Sequence, residues 1–232
     1  MNKCLLTLSL ILCVVLSSCK SKVDPPSSIT LNEEGRIMEH GDEFQLTATP
    51  SRGVTFSSED KNVASVSSSG LVTAGLIGKT RIVATAGSVQ AFCNIEVHPK
   101  IRTFPEPLLL FGEGIERVKE RFDTKYPEAE YAESEGQDSF ARFFPNIRVD
   151  NELVDLTVQY RSSDEGKLVA VEYMTQGIHT MRYLPSYVNE RYLEMGRETY
   201  SHVYLSVDKR VKVSVSISTG RQTATFTHGP RP

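Results

Sequence analysis

Between Ser28 and Val97 the apolar residues fall on alternate positions in short runs, each broken by glycine, proline or serine. Phe44, Leu46 and Ala48 alternate with polar residues, and Val54 and Phe56 do the same. Val63-Ala64-Ser65-Val66 runs into "SSSG", where Gly70 supplies the positive φ a hairpin turn needs. Leu71-Val72-Thr73-Ala74 returns, and Gly78 marks another turn. Ile82 and Ala84 point to one face, and Ala91, Cys93, Ile95 and Val97 close the series. A period of two excludes an amphipathic helix, and a strand with one apolar face must bury it against a second sheet. The pattern predicts a β-sandwich of short strands.

The segments "SITL", "GDEFQLTATP", "VTFSSEDKNVASVSSSGLVTAGLIGKTRIVATA" and "AFCNIEV" follow one another in an order that resembles a bacterial immunoglobulin-like domain of group 2. The resemblance covers residues 28–97. Phe56 stands where that family often carries tryptophan, which keeps a large apolar residue in the core. The resemblance implies a spacer or adhesive module without catalytic residues, with Cys93 as a buried structural thiol.

Proline-marked "HPKIRTFPEP", residues 98–107, reads as a linker, and the chain changes character beyond it. All nine tyrosines lie there, from Tyr126 to Tyr204. Ile115, Val118 and Phe122 recur at helical spacing, with Glu113 and Glu116 early and Arg121 late, as the helix dipole favours. Val154, Leu156, Val158 and Tyr160 alternate into the turn "SSDEGK", and Val169, Val171 and Tyr173 return. Pro185 and Gly196 bracket a second predicted helix with Leu184, Val188, Tyr192 and Met195 on one side. Val203, Leu205 and Val207 then pair with Val211, Val213, Val215 and Ile217 across "DKR", and a last strand covers residues 222–227. Residues 108–232 are therefore expected to form an α+β domain of two related halves. An antiparallel sheet would carry both helices on one face.

The amino end sets the expected location. Met1 to Lys3 begin with positive charge, and Leu5 to Leu16 are too short an apolar run to cross a ~30 Å hydrocarbon core. Leu16-Ser17-Ser18-Cys19 resembles the lipobox of bacterial lipoproteins. That resemblance implies a signal peptide at residues 1–18, a diacylglycerol on the Cys19 sulfur with an acylated amine, and a polar tether over residues 19–27. Several acyl chains, at about 0.8 kcal/mol per buried CH₂, hold a protein firmly to a bilayer without spanning it. The expected place is the bacterial cell envelope, with Lys20 compatible with outer-membrane sorting. Cys4 and Cys13 leave with the signal, so Cys93 has no disulfide partner and packing alone must stabilise the chain. A net charge of −3 offers no basic excess for phosphates, so nucleic acid is not an expected partner.

Parity assigns the chemistry of the second sheet. With the aliphatic positions against the helices, the opposite face shows Asp155, Thr157 and Gln159. Tyr200, His202 and Tyr204 follow, then Lys212, Ser214, Ser216 and Ser218, with Thr223, Thr225 and Thr227. Tyr200, His202, Tyr204, Lys212 and Gln159 are the candidate ligand-binding residues, a polar face with a stripe of rings suited to a glycan, peptidoglycan or protein ligand. His40, His98, His179, His202 and His228 form no HExxH-like pair or triad spacing, so no metal, cofactor or catalytic residue is assigned. Two alternatives stand beside binding. Glu128, Glu130, Glu133 and Glu135 cluster in one loop, as a hydrolase of envelope or dietary polymers would need. An exposed sheet edge would instead suit a subunit of a surface assembly.

Overall fold

The computed structural model describes residues 27–134, 138–177, 182–218 and 220–229. The signal, Cys19 and nearly all of the tether lie outside them. The first domain contains β1 (Thr30–Leu31), β2 (Gly35–Glu39), β3 (Glu43–Gln45), β4 (Ala48–Thr49), β5 (Thr55–Ser58), β6 (Ala64–Val66), β7 (Leu71–Ala74), β8 (Gly78–Ala86) and β9 (Val89–His98). One sheet runs β2-β9-β8-β5 and the facing one β3-β7-β6, while β1 pairs with β4. Only β2 and β9 run parallel among these pairs. Phe44, Leu46 and Val72 from the small sheet meet Ile82, Cys93 and Ile95 from the large one. Those are the positions the alternation puts inside. Gly70 is a steric necessity as well as a turn residue: at φ 88° its Cβ would lie 2.3 Å from the Leu46 carbonyl oxygen. Gly78 opens β8 instead of making a separate turn. Cys93 is wholly buried, and burial, assisted by the charge of Glu33, pushes its thiol up to about 11. It is an inert core thiol.

The second domain contains α1 (Ile115–Lys125), β10 (Glu130–Ala132), β11 (Ser139–Val149), β12 (Glu152–Ser162) and β13 (Leu168–Gln176). Then come α2 (Tyr183–Asn189), β14 (Leu193–Glu198), β15 (Ser201–Leu205), β16 (Val211–Ser218) and β17 (Arg221–His228). Helix-then-four-strands thus occurs twice. The strand order β10-β11-β12-β13-β17-β16-β15-β14 is a mirror arrangement in which each half is a meander and the two final strands meet at the centre. All pairings are antiparallel, with Tyr173 opposite Ala224 in the central seam.

Both helices cover one face. Val118 and Phe122 of α1 and Leu184, Tyr187 and Val188 of α2 share a single core with Val154, Leu156, Val158, Tyr173 and Phe226. Rings dominate it: Phe122 lies 5.3 Å from Tyr160, Tyr160 stacks on Phe140 at 4.7 Å, and Tyr173 lies 5.3 Å from Phe226. Aromatic pairs in such offset and edge arrangements add about 0.5–1.5 kcal/mol each beyond their area. Arg142, on the helix side of β11, is nearly buried and forks onto Asp123 of α1 with two 2.8 Å bonds.

Two expectations need correction. The second helix ends at Asn189, so Met195 and Gly196 belong to strand β14 and Met195 is exposed. Gly196 takes φ 120° at a register shift in β14, a strand irregularity and not a helix end. Val169 points outward, because a shift between Arg161 and Ser162 flips the face at the start of β13.

Residues 101–108 form a strap packed across the helix-covered side. Ile101 and Phe104 are buried in the second domain's core, and Phe104 lies 5.6 Å from Tyr187. Four tyrosines fix the strap's polar atoms. The Tyr173 hydroxyl donates to the Pro105 carbonyl at 2.6 Å, and Tyr187 donates to the Glu106 carboxylate at 3.0 Å. Leu108 N–H donates to Tyr160 Oη at 3.0 Å, and Tyr126 Oη accepts from Glu106 N–H and donates to its carbonyl, both at 2.9 Å. The Arg191 guanidinium lies 3.9 Å over the Tyr187 ring, binds Glu106 at 2.6 Å and reaches the Ile101 carbonyl at 3.2 Å. Neighbouring Glu190 is buried. Its carboxylate accepts from Ile101 N–H at 3.3 Å, and its carbonyl accepts from Ile77 N–H of the first domain at 2.9 Å. The end of α2 therefore touches strap and first domain together.

Candidate functional site

The face of the eight-stranded sheet away from the helices is where the polar side chains gather. Cross-strand register identifies its occupants, since paired residues share a face. One row runs Phe143, Thr157, Met174, Thr223 and Ser216; the next runs Ala141, Gln159, Glu172, Thr225, Ser214 and Val203. Glu172 is held on this face by Arg161 at 2.6 Å. A pocket of about 380 Å³ opens here, between the edge strand and the central seam. Ala132 and Glu133 line it at the end of β10, Phe143 on β11, and Asp155, Thr157 and Gln159 on β12. Met174 and Gln176 on β13 and Arg221 on β17 complete it. Gln159, Phe143 and Met174 are sheltered, whereas Glu133, Asp155 and Arg221 are exposed at the rim.

The charges of this rim do not neutralise one another. No ion pair joins Arg221 to a described carboxylate, and Glu133 has none either. Asp155 spends one oxygen on the Asn146 N–H at 2.9 Å, a bond that also fixes the turn of chain where β11 shifts register. By contrast Arg117, Arg142, Arg161, Arg182 and Arg191 of the same domain all meet a carboxylate.

Of the five residues that sequence parity groups together, two share this face. Gln159 lines the pocket and is buried. Lys212 lies further along, opposite Leu205 and Thr227, with its ammonium 3.1 Å from Glu198. Tyr204 is on the other side. It pairs with Val213, is 5% exposed, and belongs to the core beneath the helices, where burial and then the Glu194 charge raise its phenol. His202 shares that parity and sits 3.0 Å from Glu194 Oε1. Tyr200, 84% exposed, lies in the turn before β15. The ring stripe therefore does not exist. The assumption behind it was that aliphatic positions face the helices, but Val203, Ala141 and Ala170 are buried on the open side as well. A hydroxyl-bearing ring was the better core filler at Tyr204.

Arg221, Met174 and Gln176, with Phe143 and Ala132, are the lining residues that sequence reasoning missed. The signal was present, for Arg221 lies one parity step before Thr223, and Met174 and Gln176 alternate with Tyr173 and Thr175. Of the loop carboxylates, Glu128, Glu130 and Glu133 are exposed, and Glu135 is outside the described residues. Among the described residues no three His, Cys, Asp or Glu side chains gather as a metal site, and no helix is long and apolar enough to cross a membrane. A larger hollow of about 910 Å³ beside Leu109, Leu110, Phe111 and Val211 has mainly apolar walls and lies away from the polar face.

Comparison with known proteins identifies the first domain. Residues 28–95 match the family model described as bacterial Ig-like domain (group 2). No curated protein matches the chain. Among solved structures, domains 5–6 of the S-layer protein SbsC are 12% identical over 89% of this chain and 86% of that one, with a TM-score of 0.27. SbsC domains 4–9 are 13% identical over 89% of this chain and 28% of that one, also at 0.27. A TM-score that low leaves no common arrangement to reason from.

Proposed function

We propose, starting from residues 28–95 as a bacterial Ig-like domain of group 2, that this chain is a lipid-anchored, non-enzymatic protein of the bacterial cell envelope. The anchor is the acylated Cys19, the Ig-like domain is the spacer, and the second domain binds a ligand on the open face of its sheet. The observation that carries the binding role is the convergence on one pocket of polar groups from β12, β13, β17 and the residue after β10, on the face opposite the helices and strap. The lipobox-like Leu16-Ser17-Ser18-Cys19 supports the anchor. A non-enzymatic role is favoured by the exposure of Glu133 and Asp155, since a general acid for glycosyl transfer needs a sheltered carboxyl.

Two measurements test these parts separately. Cells fed labelled palmitate should yield labelled wild-type protein in the membrane fraction and an unlabelled Cys19→Ser variant; an unlabelled wild type removes the anchor. For the binding face, amide shifts of the full-length protein in micelles should be followed during titration with envelope glycans, stem peptides and linear peptides. Perturbations should gather on β11, β12, β13 and β17, and a response confined to the Ig-like domain would reject that face.

A further inference from the structure

The open-face pocket is charged at its rim with both signs and apolar beneath. Glu133 and Asp155 come from the β10 and β12 side, and Arg221 stands on β17, beyond β13. One strand, β13, separates Arg221 from Asp155 in sheet order, so the unlike charges face each other across the hollow without closing on one another. An unpaired guanidinium offers parallel donors shaped for a carboxylate, and exposed carboxylates offer acceptors for an ammonium. Phe143 and Met174 supply a floor for a small aliphatic side chain, and the Thr157 hydroxyl lies between. A neutral sugar would leave all three charges unused. It would also find one ring, Phe143, where the expected stripe of three has gone.

We infer that this pocket binds a short peptide with both ends free as a dipolar unit, its carboxylate on Arg221 and its ammonium between Asp155 and Glu133. The inference rests on the open face being the binding face and names what that face selects. Discrimination follows from the pairing itself. A ligand with one blocked end leaves a rim charge facing an uncharged amide, and charge-assisted hydrogen bonds are about twice as strong as neutral ones. Because the rim is solvated, binding should also weaken as salt rises.

The test is a titration of isotope-labelled full-length protein with four probes: dialanine, its N-acetyl form, its C-terminal amide, and chitotriose. Dialanine should move the amides of Phe143, Thr157, Met174 and Thr223, and blocking either end should weaken binding about tenfold or more. Arg221→Gln should make the acid and the amide equivalent, and Asp155→Asn should narrow the gap between free and acetylated amine. Asparagine retains the oxygen that accepts from Asn146, so the local fold is kept. The L,L and D,D isomers separate the two sources of this chemistry, a protein fragment and a wall stem peptide; selective binding of either supports the inference. Equal binding of free and blocked forms overturns it. If chitotriose alone moves these amides, the ligand class falls and the binding face stands. If no probe moves them, both fall.

Discussion

A chain beginning at Leu108 should fail to fold, and restoring residues 98–107 should restore a cooperative urea transition. The cause lies in the strap. Its loss removes Ile101 and Phe104 from the core and strips partners from Tyr126, Tyr160, Tyr173, Tyr187 and Arg191 at once. Phe104→Ala alone should cost about 3–5 kcal/mol, the usual range for emptying a buried phenylalanine site. Tyr173→Phe, which leaves the buried Pro105 carbonyl with a more distant donor in Tyr187 at 3.4 Å, should cost about 1–3 kcal/mol. A domain of this size has only about 5–15 kcal/mol to lose. Circular dichroism against urea measures all three. A Leu108 fragment with the midpoint of the full chain would show the strap to be an ornament.

Three of those tyrosines, together with Tyr192, should make the protein fail abruptly in alkali. Burial raises the phenols of Tyr160, Tyr173 and Tyr187 well above their ordinary value of about 10, and that of Tyr192 to about 12. In each case burial is the main cause, reinforced at Tyr173, Tyr187 and Tyr192 by nearby negative charge. The sign follows from proton counting. Below pH of about 10 both folded and unfolded chains keep these protons, and stability is unaffected by them. Above it the unfolded chain releases protons that the folded chain holds, so stability falls as pH rises. Each phenol contributes at most about 1.4 kcal/mol per pH unit, and four together about 5. Stability should therefore be flat to about pH 10 and vanish within one or two units above it. The phenolate absorbance of the buried set should rise together with the loss of structure. Ionisation of Tyr160, Tyr173, Tyr187 and Tyr192 with ellipticity unchanged would contradict the burial on which this rests.

What was legible in the chain and what was not follow from the range of the forces involved. Strands β12 and β13 were readable because Val154, Leu156, Val158 and Tyr160 report their own surroundings every second residue. Helix α1 was readable for the same local reason. The Ig-like domain was legible almost strand by strand, with Gly70 marking its tightest approach. Helix α2 was overextended because Met195 continues the spacing of Leu184, Val188 and Tyr192, although β14 had already begun. The strap was invisible as structure. Proline-rich sequence reads as a linker, and the groups that hold it lie 20 to 90 residues away. At the candidate site the polar parity of β12 and β17 matches the open face, and Gln159 lies in its pocket. Tyr204 was misplaced because the open side also buries small apolar residues, which removes the contrast that parity depends on.

The mirrored strand order also bears on when the sheet can close. The first half of the second domain ends in β13, whose free flank is met only by β17, with Ala170 opposite Thr227. A chain emerging amino end first thus holds the four meander strands β10 to β13 and an unsatisfied central flank until β17 is delivered. Non-local pairing of this kind is slow, and the wait leaves a sticky edge open to neighbours. Loss of β17 would accordingly open the middle of the sheet and leave two half-domains, where loss of an outer strand would only narrow it.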